Sequence, residues 1–178
     1  MSSIMLDIET AATGSNAVIL QIAALKFDPS DPSIELDGKL WHLDVEEQTK
    51  FGRVVCDDTM EWWASQGEEA IDSVFGEHLE RVPLEQAMEE FHKFVWGNRE
   101  YWAQGPVFDF PIIESLLRQL GRPDPWSYQQ VRDTRTLFKL GIPYEYDNPI
   151  KHNALSDCIA QALAVQQIFE QLKIFKND

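Results

Sequence analysis

The chain has 178 residues, of which 44% are hydrophobic, and a formal net charge of −15. This length and apolar content suit one well-packed domain over residues 1–178. The apolar segments are too short to span a bilayer and the N-terminus lacks a signal-peptide profile, so the sequence predicts a cytoplasmic protein without membrane contact. The negative charge argues against a basic groove for long duplexes, but it does not exclude a nucleic-acid enzyme whose positive charge comes from bound metal ions.

The first 45 residues predict three strands that form an antiparallel meander. Residues 4–8 are short and apolar, residues 18–27 are longer and largely apolar, and residues 34–45 alternate between polar and apolar. The segment DPSDPS at 28–33 is a strong turn signal between the second and third strands.

Helices and short strands alternate along the rest of the chain. The predicted helices cover residues 58–65, 68–75, 83–96, 110–120, 134–140 and 153–175. Residues 100–103 and 127–132 predict two further strands. The order predicts an α/β fold with a five-stranded mixed sheet, its first three strands antiparallel, flanked by helices on both sides.

Four carboxylates and one histidine stand at places where the pattern is otherwise apolar or structural. Asp7 and Glu9 are two residues apart on the first strand, so they share a face and repel each other unless water or a cation lies between them. Asp109 directly precedes a predicted helix whose first turn holds a proline. Asp157 falls in the first turn of the last helix, five residues after His152.

Each of these residues also has an ordinary structural explanation. Asp109 could cap its helix, Asp157 could face the helix dipole, and a single histidine before a helix is more often structural than catalytic. Taken together, the set suits phosphoryl transfer with two divalent ions about 3.5–4 Å apart. Hard ions such as Mg²⁺ take carboxylate oxygens as ligands, and a histidine with a near-neutral pKa suits the deprotonation of water.

The motifs Asp7-x-Glu9, Asp109, and His152 with Asp157 five positions later resemble the DEDDh 3′→5′ exonucleases of the ribonuclease H-like superfamily. The segments TMEWWASQ (59–66), FDFPI (108–112) and HNALSDC (152–158) are similar to those of phage exonuclease A. They also resemble small bacterial exoribonucleases that are labelled exonuclease VIII-like.

The resemblance implies the ribonuclease H-like fold and removal of nucleoside 5′-monophosphates from the 3′ end of a single strand, with DNA favoured. It implies two metal ions, Mg²⁺ or Mn²⁺. Asp7 would be shared by both ions, and Glu9 and Asp157 would complete the site of the ion that activates water. Asp109 would act on the second ion largely through water, and His152 would be the general base.

Five residues are predicted to contact the substrate. By resemblance, Thr10 and Ala11 would meet the 3′-terminal nucleotide, and Phe108 lies beside Asp109 in the second motif. Trp62 and Trp63 point about 100° apart on a helix, so one is expected to pack inward while the other could stack on a base. Simple packing of both tryptophans is at least equally well supported.

Several alternatives stay open at this point. Arg132 or Arg135 could contact a phosphate, although a salt bridge with Asp133 is favoured. The same chemistry could trim short or structured RNA, and a non-catalytic nucleic-acid-binding module of the same fold is a more distant alternative. A homodimer through the tryptophan-rich segments 62–63 and 96–102 is also possible.

Overall fold

The computed structural model describes residues 2–172 and contains a six-stranded sheet of order β4-β3-β2-β1-β5-β6. Its strands are β1 (Ser3–Thr10), β2 (Ile19–Phe27), β3 (Asp37–Leu43), β4 (Arg81–Val82), β5 (Glu100–Ala103) and β6 (Val131–Asp133). Strands β1, β2 and β3 pair antiparallel, and the other pairs are parallel. The α/β class and the antiparallel meander are confirmed. The predicted count of five strands is wrong because β4, with two residues, is too short to show a hydrophobic period.

Seven α-helices lie within residues 2–172. They are α1 (Val45–Lys50), α2 (Asp57–Ala64), α3 (Glu68–Phe75), α4 (Leu84–Val95), α5 (Pro106–Gln119), α6 (Thr134–Phe138) and α7 (Ala154–Leu172). Helix α1 was not predicted. The predicted third strand extends to residue 45, two residues past the end of β3 and into the first residue of α1. Asp44 caps it by accepting a hydrogen bond from the Glu47 amide at 2.7 Å. Residues 173–175 of the predicted last helix lie outside the described part.

Helix α5 begins at Pro106, four residues before the predicted start, so Asp109 lies inside the first turn rather than before it. Gly105 adopts a left-handed φ of 100° at the N-cap, and Pro106 follows where a helix needs no amide donor. Pro111 therefore lies in the second turn. The strand predicted at 127–132 is also displaced, since Tyr128–Gln130 forms a 3₁₀ turn before β6.

The two faces of the sheet are covered by different helices. Ile4, Leu6 and Ile8 of β1 point into a core that includes residues of α4 and α5, whereas Met5 points into a core with residues of α7. Because side chains alternate along a strand, Asp7 and Glu9 share the face of Met5. The two acids therefore lie on the central strand, on the side that α7 covers. Among the described helices, none is long and apolar enough to cross a membrane.

Candidate active site

Three carboxylates converge where β1 extends past its parallel neighbour. Strand β5 pairs only with residues 3–5 of β1, so the carboxyl end of β1 projects beyond it. The first turn of α7 lies on the same side and brings Asp157 to Asp7 and Glu9. Ligand oxygens of these three residues all lie within 4.8 Å of one another.

Asp109 approaches this cluster from α5, on the other side of the sheet. Its side chain is 5% exposed, and its charge raises the pKa of both Asp7 and Glu9. Burial raises the pKa of Asp109 itself. Hydrogen bonds from the backbone amides of Asp109 and Ile8, and the positive charge of Arg135, partly offset this rise. Asp109 is therefore an electrostatic neighbour of the three clustered carboxylates, although it is not one of the group within 4.8 Å.

Burial makes all four groups hard to ionise, and repulsion from neighbouring carboxylates adds to this effect for Asp7 and Glu9. Burial is the largest cause in each case. It raises the pKa of Glu9 to about 8, that of Asp109 to about 7 and that of Asp157 to about 6. The pKa of Asp7 lies well above its usual range because burial and the charges of Asp109, Glu9 and Asp157 all favour its protonated form. A hydrogen bond from Gln161 Nε2 to Asp7 Oδ1 at 3.2 Å partly offsets this.

The donor set fits a hard divalent cation. Carboxylate oxygens are the ligands that Mg²⁺ and Mn²⁺ prefer, and the ions' charge would offset the repulsion that raises the pKa of Asp7 and Glu9. Asp7, Glu9 and Asp157 offer one compact group of oxygens. Asp109 adds a fourth carboxylate, whose charge acts on Asp7 and Glu9.

His152 lies beside this cluster on the segment that precedes α7. Its Nδ1 is 3.9 Å from Glu9 Oε1, and its ring makes edge contacts with Trp62 and Trp63 at centroid distances of 5.0 and 5.9 Å. Burial, with a smaller contribution from Lys151, lowers the pKa of His152. Its imidazole is therefore mostly neutral at pH 7 and can accept a proton.

Residues 141–153, here called the strap, run beside α7 and carry His152 to the cluster. Asn148 donates from Nδ2 to Asp157 Oδ1 at 2.7 Å and accepts from Ser156 Oγ at 2.7 Å. Further along, the Glu145 amide donates to Gln167 Oε1 at 2.8 Å. Sequence reasoning missed Asn148, because the strap has no periodic pattern that would indicate which of its residues reaches a carboxylate.

An open cleft of about 470 Å³ adjoins the acids. Its lining includes four of the five predicted substrate-binding residues, namely Thr10, Trp62, Trp63 and Phe108. It also includes Cys56, Asp58 and Thr59, which were not predicted. The volume lies in the range of small-molecule sites. The cleft therefore has room for a nucleotide beside the acidic cluster.

The two tryptophans have different environments, as their spacing predicted. Trp63 is 2% exposed and donates from Nε1 to the Thr10 carbonyl at 2.9 Å. Trp62 is 43% exposed and forms part of the cleft wall. Trp63 therefore fixes the end of β1, while the exposed Trp62 lines the cleft.

Ala11, the fifth predicted substrate-binding residue, is buried. Its amide donates to Val18 O at 2.9 Å and its carbonyl accepts from the Cys56 amide at 2.8 Å. Its placement therefore links β1 to the start of β2 and to the segment before α2.

The prediction of a salt bridge between Asp133 and Arg132 or Arg135 is wrong. Arg132 pairs with Glu100 at 3.1 Å, and the Arg135 guanidinium donates to the Gln104 carbonyl at 3.1 Å. Asp133 instead caps α6 by accepting from the Arg135 backbone amide at 2.9 Å. A side chain that caps the following helix is held there by local geometry, so the nearby guanidinium groups find other acceptors.

Two solved structures that superpose on this chain are described as an exonuclease and as the nuclease domain of a DEDDh family member. Exonuclease X in complex with 5′ overhanging duplex DNA superposes with a TM-score of 0.57 at 16% identity, covering 95% of this chain and 92% of that one. The nuclease domain of 3′hExo, a DEDDh family member bound to rAMP, superposes with a TM-score of 0.58 at 12% identity, covering 96% and 92%. The fold is thus the ribonuclease H-like fold that the motifs predicted.

Sequence comparison defines the family. Residues 2–169 match the model of the 3′-5′ exoribonuclease Rv2179c-like domain, and the chain belongs to that family. It is also 26% identical over 202 residues to the exodeoxyribonuclease of Enterobacteria phage T4, covering 93% of this chain and 88% of that protein. The resemblance to DEDDh exonucleases is confirmed, and the protein is a 3′→5′ exonuclease.

Proposed function

We propose that residues 1–178 form one exonuclease domain that removes nucleoside 5′-monophosphates from the 3′ end of single-stranded DNA, with two Mg²⁺ or Mn²⁺ ions. The observation that carries this proposal is the group of Asp7, Glu9 and Asp157 within 4.8 Å, next to a cleft of about 470 Å³. Asp109 and His152 border the same group. The compact site favours a single strand, since the terminal nucleotide must reach the acids.

The four acids would bind the metal ions, and the histidine would transfer a proton. Divalent ions held by such carboxylates activate water and stabilise the charge that develops on phosphate oxygens. Asp7 would be shared between the ions, Glu9 and Asp157 would complete one site, and Asp109 would serve the other. Asp7 is suited to the shared role because the charges of all three other acids act on it.

His152 would take a proton from the attacking water. Its lowered pKa keeps the ring neutral near pH 7, as a general base requires. Its placement 3.9 Å from Glu9 keeps it at the edge of the acidic cluster, where the water would be held. Protonation of the ring would then be favoured by the neighbouring carboxylate.

The terminal nucleotide would occupy the cleft between β1 and α2. The exposed Trp62 and Phe108 would contact its base and sugar, and Thr10 would lie beside its 3′ end. Stacking on an aromatic ring tolerates any base, which suits an enzyme that shortens a strand of any sequence. Ala11 would act only through the backbone that it holds in place.

An exoribonuclease that trims short or structured RNA is the second candidate. The description of the matching family model favours RNA, whereas the name of the phage relative favours DNA. The formal charge of −15 favours recognition of a few nucleotides at the site over binding along a strand. A cytoplasmic location and a homodimer remain predictions.

The test uses 5′-labelled DNA and RNA of one sequence, single-stranded and as duplexes, with Mg²⁺, with Mn²⁺ or with EDTA. We expect a ladder of products shortened from the 3′ end, fastest for single-stranded DNA, with no products in EDTA. Asp7→Ala should abolish shortening, whereas Glu35→Ala, which removes an exposed carboxylate far from the cluster in sequence, should not. Intact substrates of both sugars would refute the exonuclease activity, and faster RNA shortening would favour the second candidate.

A further inference from the structure

A buried glutamine lies beside the acidic cluster. Gln21 of β2 is 0% exposed, stands opposite Glu9 of β1 and also stands opposite His42 of β3. Directly opposed residues in antiparallel strands share a face, so Gln21 lies on the same side of the sheet as Glu9. In the sequence it interrupts the apolar run ILQIAA, and the exonuclease motifs do not include it.

The Gln21 amide bridges two separate segments of the chain. Its Oε1 accepts from the backbone amide of Ala154 at 3.0 Å, and its Nε2 donates to the Ser73 carbonyl at 2.6 Å. Ala154 is the first residue of α7, and its amide has no partner within the helix. One side chain thus ties the start of α7 to β2 and to α3.

Both segments border His152. The histidine lies two residues before Ala154. Helix α3, which holds Ser73, ends with Phe75, whose ring packs against Trp63 at 5.4 Å. Trp63 in turn contacts the His152 ring at 5.9 Å. Gln21 therefore binds the backbone two residues after His152. It also binds α3, the helix that packs against Trp63 beside the histidine ring.

The backbone of His152 needs such support. Its φ of 60° is left-handed, which is uncommon and strained for a residue other than glycine. A strained residue keeps its conformation only where its surroundings fix it. Asn153 accepts from the Ser156 amide at 3.0 Å and caps α7, and Gln21 fixes the next residue.

We propose that Gln21 is a positioning residue that holds His152 in its reactive place by binding the first amide of α7. This inference rests on the proposed role of His152 as general base. An apolar side chain at this position would leave the Ala154 amide and the Ser73 carbonyl unpaired, and residues 152–154 could then shift while Asp157 keeps its hydrogen bond from Asn148. A displacement of about 1 Å at a reacting group lowers a rate on the order of 100-fold.

The chain offers a matched control in Gln48, a second glutamine that is 0% exposed. Its Oε1 accepts from the Ile19 amide at 2.8 Å, and its Nε2 donates to the carbonyls of Ile19 and Asp44 at 2.7 and 3.0 Å. Its side chain makes three hydrogen bonds to the backbone, whereas that of Gln21 makes two. Neither Ile19 nor Asp44 lies next to a proposed catalytic residue in the chain. Gln21→Met and Gln48→Met therefore remove comparable buried hydrogen bonds.

The first experiment compares these two variants with wild type in steady-state kinetics, calorimetric Mn²⁺ titration and hydrogen exchange. Gln21→Met should lower kcat by about 10- to 100-fold, with KM and Mn²⁺ affinity within about threefold, and should speed exchange in the peptide covering 146–156. Gln48→Met should leave kcat within about threefold and that peptide protected. Equal losses of kcat in the two variants would overturn the proposal, as would a parallel loss of Mn²⁺ affinity in Gln21→Met.

A double-mutant cycle separates positioning from general weakening of the fold. In a His152→Ala background, Gln21→Met should change kcat by less than about threefold, because the group that it positions is already absent. The same 10- to 100-fold loss in that background would overturn the proposal. If Gln21→Met does not fold, Gln21→Asn takes its place under the same criteria, since its shorter amide cannot reach both partners.

The controls distinguish this inference from the proposed function. Wild-type protein that shortens neither DNA nor RNA would refute the exonuclease activity itself. Active wild type with a slow His152→Ala and an unimpaired Gln21→Met would refute only the role of Gln21.

Discussion

Asp109 and Asp157 each lie in the first turn of a helix, on α5 and α7 respectively, and they are held in different ways. Helix α5 follows β5 after two residues, and its apolar side chains, including Phe110 and Ile113, pack in the larger core. The first turn of α7 follows the strap, which has no regular structure and is attached through hydrogen bonds from Asn148 and Glu145.

Arg53 strengthens the α5 side further. Its guanidinium is buried and donates to Ala17 O, Ile112 O and Gln119 Oε1 at 2.8, 3.3 and 2.9 Å. These bonds join α5 to the segment between β1 and β2. Asp109 is thus placed by core packing, whereas Asp157 and His152 depend on individual polar contacts. We therefore expect substitutions near α7 to affect the reaction first and substitutions around α5 to affect stability first.

The largest effect is expected for His152→Ala. Loss of a general base lowers turnover by about 10²- to 10⁴-fold, while calorimetric Mn²⁺ affinity should stay within about threefold because the four acids remain. The control is His78→Ala, which removes an exposed histidine that follows α3. Undiminished turnover in His152→Ala would remove this residue from the mechanism.

The next largest effect is expected for Asn148→Ala. The variant removes the 2.7 Å hydrogen bond to Asp157 and one attachment of the strap. Loss of a partner of a metal ligand lowers metal affinity or activity by about 10- to 100-fold. The control is Asn98→Ala, whose amide donates to Val95 O instead. If initial rates and Mn²⁺ titrations do not separate the two variants, the strap does not position Asp157.

Arg53→Met tests the α5 side. It leaves the carbonyls of Ala17 and Ile112 without their buried donor, which costs about 3 kcal/mol. For a chain of this length, that lowers Tm by about 6–12 °C, while kcat at 20 °C should stay within about threefold. A thermal melt together with a rate measurement checks both. A large loss of kcat without a loss of Tm would show that core packing alone does not hold Asp109 of α5 in place.

The smallest expected effect is a gain of stability in metal-free Asp7→Asn. Carboxyl groups whose pKa is raised by folding stabilise the protein below their unfolded pKa of about 4. That stability is lost as pH rises through the folded values of about 6, 7 and 8 for Asp157, Asp109 and Glu9. At pH 8 folding of the wild type either buries the Asp7 charge among the other carboxylates or requires Asp7 to take up a proton, and Asn carries neither cost.

Relief of about 1 kcal/mol corresponds to a Tm gain of about 2–4 °C for Asp7→Asn in EDTA at pH 8. The gain should shrink at pH 4, where the cluster is protonated in wild type as well. The control is Asp31→Asn, in the turn between β2 and β3. A lower Tm for Asp7→Asn than for wild type at pH 8 would contradict the repulsion that the cluster implies.

Much of the site was predictable because its residues stand out against their local pattern. Asp7 and Glu9 interrupt an apolar strand, and a period of two places them on one face whatever the rest of the fold. The five-residue step from His152 to Asp157 at a helix start is equally local. The strands β1 to β3 and the helix α3 were predictable for the same reason, because their hydrophobic periods lie within the segment itself.

The residue pattern alone therefore predicted the kind of chemistry, the order of the motifs and the α/β class. The side chains that support the motifs can be identified only in the folded chain, because those contacts join residues far apart in the sequence. The Ala154 amide meets Gln21 across 133 positions, and Gln161 meets Asp7 across 154. Hydrogen bonds of this kind have no period, so a glutamine in an apolar strand shows its partners only once the helix that covers it is in place.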